Sequence, residues 1–361
     1  LVQLRHGIAH KLGYQDYVEL GYKKMLRVDY DRHDVERYRN EVQQHVVPLS
    51  VELRNKLAAN LGLGPNELRH WDEAIFDPQG NPKPQGNHDD LIAQAQEMFD
   101  AMGNGLDGFF QLMQDASLMD LKNRPAKAGG GFCTSFDHIG LPFIFANFNG
   151  TKGDVEVFTH EMGHAFQCYC SRNQPLVDFL WPTYESCEIH SMGLEFLTYP
   201  HMDRFFGTDA ERFRQIHLTQ SLLFLPYGVA VDHFQHLVYS NPDASADERF
   251  EFWRQMEERY MPWRNYGDLV HPSKGGRWQL QRHIYLCPFY YIDYTLAQVC
   301  ALQFWRRLRE NDESVMDDFV ALCQRGGEAP FQELVRGAHL ISPFQEGCLE
   351  SVVNDVRSTL A

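Results

Sequence analysis

The chain has 361 residues, 43% of them hydrophobic, and a formal net charge of −16. That content suffices for a substantial core, while no run approaches 18 consecutive apolar residues, which argues against a membrane-spanning helix. The acidic balance, with no basic cluster to offset it, argues against nucleic acid and anionic membranes as partners.

In chain order, helical periodicity covers 34–60 and 89–121. The loop DPQGNPKPQGN at 77–87 separates them, because its Pro, Gly and Asn content breaks any element. Two β-rich runs follow, GGFCTSF at 130–136 and LPFIFANFN at 141–149, joined by DHIG. From Asp154 the chain reads DVEVFTHEMGHAFQCYC, with Val155, Phe158, Met162, Ala165, Phe166 and Tyr169 at helical spacing. Acidic residues in its first turn, and Thr151 or Gly153 as cap, mark a helix start. A second helix is expected over YESCEIHSMGLEF, 184–196. Later helices are expected at 209–225, 227–240, 245–260, 283–310, 313–324 and 343–358, with HPSKGGRW at 271–278 as a Gly-rich loop.

The most informative five residues are HEMGH at 160–164. Positions i and i+4 of a helix lie on one face about 6 Å apart, so His160 and His164 can reach one tetrahedral Zn²⁺. Glu161 points off that line and is free to act as a base toward the water that such an ion activates. On the second helix Glu185, Glu188 and Glu195 stack along one side, where like charges repel unless a cation compensates them. Glu188 follows His164 by 24 residues, enough for a turn and an antiparallel return, and so supplies a third ligand. The competing reading is a solvated acidic face, opposed by Ile189, Met192, Leu194, Phe196 and Leu197 on the same helix.

These residues resemble the M3 family of zinc metallopeptidases, the thimet oligopeptidase and oligoendopeptidase F group, whose HExxH is followed by E-x-x-S-x-x-x-E, matched here by Glu188, Ser191 and Glu195. PYGVAVDHFQHLVY at 226–239 is similar to the oligoendopeptidase F branch. The resemblance implies one Zn²⁺ per chain held by His160, His164 and Glu188, with Glu161 as general base. It makes Glu185 the acid that orients a ligating histidine through its other ring nitrogen, and places Glu195 in the same outer layer. In RHIYLCPFYYIDYTLAQ, 282–298, His283, Tyr291 and Tyr294 look like the family's donors to the carbonyl oxygen, with Tyr285 and Tyr290 competing for the role. It further implies a mainly α fold: a large helical catalytic domain with a small β-sheet beside the zinc helix, and two lobes around a substrate channel. An edge strand beside that helix could pair with an extended peptide.

The expected activity is zinc-dependent endopeptidase cleavage of short peptides. A helical zinc carboxypeptidase and a non-catalytic peptide-binding relative remain alternatives. The chain opens at Leu1 inside what reads as a later segment, so 1–361 is expected to be an M3-type catalytic domain without the usual N-terminal helical region. Eight cysteines, mostly in apolar helical runs and without a short paired framework, read as reduced thiols, and nothing at the N-terminus reads as a signal peptide, hence an expected cytoplasmic location. Cys168 shares a helical face with His160 but lies about 12 Å beyond it, too far to join one ion.

Overall fold

Side-chain caps set several helix starts in this chain. Asp16, Asp31, Asn87 and Ser245 each accept hydrogen bonds from first-turn N–H groups. The computed structural model describes residues 1–64 and 67–360. Its elements are mostly α-helices with one three-stranded sheet. They form two compact units, one built from Leu1–Gly80, Leu218–Leu296 and the segment from Pro343, the other from Asn81–His217 and Ala297–Ser342. No described helix is long and apolar enough to cross a membrane.

In the second unit the helix expected over 89–121 divides into His88–Met102 and Leu106–Asp115. Gly103 and Gly105, at φ of 61° and 85°, take conformations that side chains disfavour and break the run. Its predicted end is instead a strand, β1 (Met119–Lys122). The two anticipated strands are β2 (Phe132–Phe136) and β3 (Leu141–Phe148), antiparallel from Phe132↔Phe145 to Phe136↔Leu141. β1 pairs parallel to β3, giving the order β1-β3-β2 and leaving β2 at an edge. On β3, Pro142, Ile144 and Ala146 are buried at alternate positions, while β1 is too short to show a period.

The HEMGH helix spans Lys152–Ser171 and the glutamate helix Tyr184–Leu197. Neither Thr151 nor Gly153 supplies a side-chain cap at the start of the first; Asp154, inside the first turn, takes hydrogen bonds from Asn149 N and Gly150 N at 2.7–3.0 Å. Gly163 explains how closely the two helices pack. A Cβ there would stand 2.4 Å from the His190 carbonyl oxygen and 2.6 Å from Ser191 Cα. Only a residue without a side chain allows this backbone approach.

In the first unit the run predicted at 34–60 forms as Arg32–Glu41 and Val47–Asn60, joined through one π turn at Val42–Val46. Two ion pairs, Arg27 with Asp293 and Arg39 with Asp232, are buried at 2.5 Å each. The helices expected at 209–225 and 227–240 are one element, Ala210–Ser240, which continues through Pro226. Proline removes one internal hydrogen bond, and the buried Leu222, Leu225, Val229 and Ala230 around it provide the packing that outweighs the loss.

The single helix predicted over 283–310 is two, Arg282–Leu286 and Tyr291–Arg309. Between them Phe289 adopts a φ of 68° and is fully buried. Its N–H donates to Gln235 Oε1 at 2.9 Å and its carbonyl accepts from Arg27 at 2.5 Å, so tertiary partners replace the helical ones. A short helix at Phe331–Gly337 was not anticipated, and the last helix begins at Cys348 rather than 343. In the Gly-rich stretch at 271–278, Gly275 has a φ of 92° and a Cβ there would lie 2.0 Å from the Phe250 carbonyl oxygen.

Candidate metal centre and aromatic cluster

The helical spacing of His160 and His164 brings their rings to 5.0 Å, centroid to centroid. Glu188 comes to both from the glutamate helix, its Oε2 lying 3.3 Å from His160 Nε2 and 3.4 Å from His164 Nε2. Among the described residues this is the one group of three or more side chains whose ligand atoms could hold a metal, all within 4.8 Å of one another. Cys168 is not part of it, and burial pushes its thiol up to about 12.

The orientation of each member has a visible cause. Ser191, one turn beyond Glu188, donates its hydroxyl to Glu188 Oε2 at 3.0 Å. His160 Nδ1 is 2.6 Å from Glu195 Oε1, which turns the other nitrogen, Nε2, toward Glu188. The carboxylate behind His160 is therefore Glu195, one of the two acids expected in the outer layer. Glu185 is buried on the same helix, ten residues earlier.

Burial disfavours charge on His160, Glu188 and Glu195, yet the imidazoles and carboxylates compensate one another. Glu188 stays well below the usual carboxylate range because His164 and His160 face it, and His160 is held well above its ordinary value by Glu188 and Glu195. Glu195 is likewise held down to about 2 against its burial by its bonds to His160 and His217. Two imidazole nitrogens and a carboxylate oxygen at one point are the donor set that Zn²⁺ prefers, and a dication would offset the surplus of carboxylates. The residues fit the metal.

Glu161 is buried to 7% exposure, and burial raises its carboxyl above the ordinary value, opposed by His160 and His164. The chain entering the edge strand passes directly over it. A Cβ on Gly131 would lie 3.3 Å from Glu161 Oε1 and 3.1 Å from Val157 Cγ1. Asn147 on β3 holds this segment by donating to the carbonyls of Ala128 and Gly130 at 2.9 and 2.8 Å.

The aromatic cluster belongs to the other unit. His283 meets Tyr291, Tyr290 and Tyr294 at ring separations of 5.2, 5.8 and 6.0 Å. Tyr290 and Tyr294 stand one turn apart with rings 4.7 Å from each other. Tyr285 packs instead on Trp278 and places its hydroxyl 3.4 Å from the Gln279 carbonyl. Burial raises the Tyr291 phenol well above its normal range, so it stays a donor at neutral pH. Sequence reasoning missed what holds the histidine: Gln281 lies 2.6 Å from His283 Nδ1 and accepts from Tyr227 at 2.7 Å. It also missed His217, which sits in a helical run without a motif.

Residues 1–353 match the sequence profile of peptidase family M3. The whole chain is similar to the structure of PZ peptidase A with an inhibitor, at 48% identity and a TM-score of 0.96, covering 64% of that protein. A protein assigned as an oligoendopeptidase F of Bacillus anthracis is 46% identical over the whole chain, with a TM-score of 0.89 and 62% of its length covered. Oligoendopeptidase F from Enterococcus faecium, at 13% identity and a TM-score of 0.61, shares the fold. The chain thus spans less than two thirds of these relatives. No curated protein sequence matches it.

Proposed function

The chain belongs to peptidase family M3, and from that premise we propose that it is the catalytic region of a zinc-dependent oligopeptidase that cleaves short peptides at internal bonds. The observation that carries this reading is the convergence of His160 Nε2, His164 Nε2 and Glu188 Oε2 within 4.8 Å, with the buried Glu161 on the helix that bears the two histidines.

His160, His164 and Glu188 would hold one Zn²⁺ per chain. When bound, the ion supplies Lewis acidity that brings water toward ionisation near neutral pH. Glu161 takes the proton of the attacking water and returns it to the leaving amine. Burial raises its carboxyl above the ordinary value, which makes the carboxylate a better acceptor for that proton. His283 with Tyr291 or Tyr294 donates hydrogen bonds to the carbonyl oxygen as negative charge develops there. The edge of β2, entered beside Glu161, offers unpaired main-chain groups to an extended peptide, and such bonds ignore side-chain identity. All eight cysteines are free thiols, which supports a reducing, cytoplasmic location.

Zinc content measured together with cleavage of an internally quenched peptide tests the reading, on this chain and on a longer one. Activity on a peptide blocked at its C-terminus separates the endopeptidase from a carboxypeptidase. Stoichiometric zinc with no cleavage by either chain identifies a peptide-binding relative and overturns the enzymatic reading.

A further inference from the structure

The carboxylate behind His160 is itself held from behind. Glu195 Oε1 binds His160 Nδ1, while its other oxygen, Oε2, lies 2.6 Å from His217 Nε2. The second nitrogen of His217, Nδ1, is 2.7 Å from the Tyr199 hydroxyl, and that hydroxyl also stands 3.4 Å from the Arg214 carbonyl. Aromatic packing fixes the imidazole further. Its ring stacks on Phe213 at 5.8 Å and 14°, and meets Phe196 at 5.2 Å and 62°. His217 and Tyr199 are both buried.

An ionised carboxylate only accepts hydrogen bonds, so His217 Nε2 carries a hydrogen whatever the state of Nδ1. Without that donor Glu195 Oε2 would be an unsatisfied buried oxygen, which is costly, and the carboxylate would rotate toward whatever donor it could reach. Rotation would release His160 Nδ1. With its Nδ1 partner gone, the ring of His160 would lose the restraint that aims Nε2 at Glu188 and His164.

We propose that His217, steadied by Tyr199, is a positioning residue for the metal: it locks Glu195 in the rotamer that presents His160 Nε2 to the ion. The inference rests on His160 being a ligand, as argued above. The plainer account is a buried polar contact that stabilises helix packing alone, and the two differ in what a substitution does to metal affinity at fixed folding.

The test is zinc affinity by chelator competition on the metal-stripped chain, with the melting temperature of the metal-free chain recorded for each variant. His217→Phe keeps an aromatic ring and removes the donor, and zinc binding should weaken about 10-fold or more. His217→Gln restores an amide donor and should recover most of that loss at a similar metal-free melting temperature. Because His217 acts through Glu195, adding His217→Phe to Glu195→Gln should weaken binding no further. Tyr199→Phe is a milder second perturbation, which should weaken zinc by about 3-fold in the parent and not in the Glu195→Gln background. Parent-like zinc affinity in His217→Phe, or full additivity with Glu195→Gln, overturns the proposal. Glu188→Gln is the control for the underlying reading. Unchanged affinity there removes the ligand assignment itself, whereas a loss there beside an intact His217→Phe removes only the positioning role.

Discussion

The metal centre and the aromatic cluster are both built on short motifs, and they differ in what holds them. His160 and His164 lie on one uninterrupted helix, so backbone geometry alone sets their rings side by side. His283 lies on one helix and Tyr291 and Tyr294 on the next, with Tyr290 in the break between them beside Phe289, whose positive φ is fixed by Gln235 and Arg27. A motif confined to one helix transmits its geometry through the chain itself. One that crosses a break depends on distant residues, and here three tyrosines come within 6.0 Å of His283, ring to ring.

The largest expected effect falls on the single-helix motif. Glu161→Gln should lower turnover by about 10³-fold while leaving metal content and peptide binding unchanged, since an amide cannot accept the proton of water. Activity within tenfold of the parent would remove Glu161 as the base. Next, Glu188→Gln should weaken zinc by more than about 100-fold and Glu195→Gln by about 10- to 100-fold, as expected for a ligand and for a residue behind one. Equal zinc affinity in both variants and the parent would dissolve the distinction drawn between the two regions.

The cluster across the break should respond less sharply and in a way that discriminates between its tyrosines. If Tyr294 is the donor, Tyr294→Phe should lower kcat by about 10²-fold with little change in KM, and Tyr290→Phe should be mild. The reverse pattern moves the role to Tyr290, one turn back on the cluster, and leaves the metal centre untouched. Smallest is a change of packing alone. Gly163→Ala forces a methyl group toward the His190 carbonyl and should cost about 1–3 kcal/mol in unfolding free energy, with a weaker metal site as the two helices separate. A denaturation midpoint equal to the parent's would show that the close approach is not required.

Much of this protein was legible from local spacing. The HEMGH helix, the glutamate helix and the β2–β3 hairpin follow from periods that a helix or strand imposes on neighbouring residues. The break at Gly103 and Gly105 was a local signal that the helical period hid, but other errors fell where the deciding partner was remote. β1 pairs with β3 across the whole β2 segment, Pro226 is carried inside a helix by its packing, and Phe289 breaks one through Gln235 and Arg27.

The sequence by itself determined the donor types and their order: two imidazoles one turn apart, a carboxylate beside the first, and three more on a following helix. Those facts are intrahelical, and the rise and turn of the helix convert them into geometry. Tertiary structure alone decided which carboxylate does what. Glu188 meets both imidazoles, and Glu195 stands behind His160 because Gly163 lets the two helices come into backbone contact. His217 and Tyr199 join Glu195 from outside both motifs. No period in the sequence links residues 160, 195, 199 and 217; only the packing of separate elements brings their polar atoms to hydrogen-bond distance, where burial makes every unpaired atom costly.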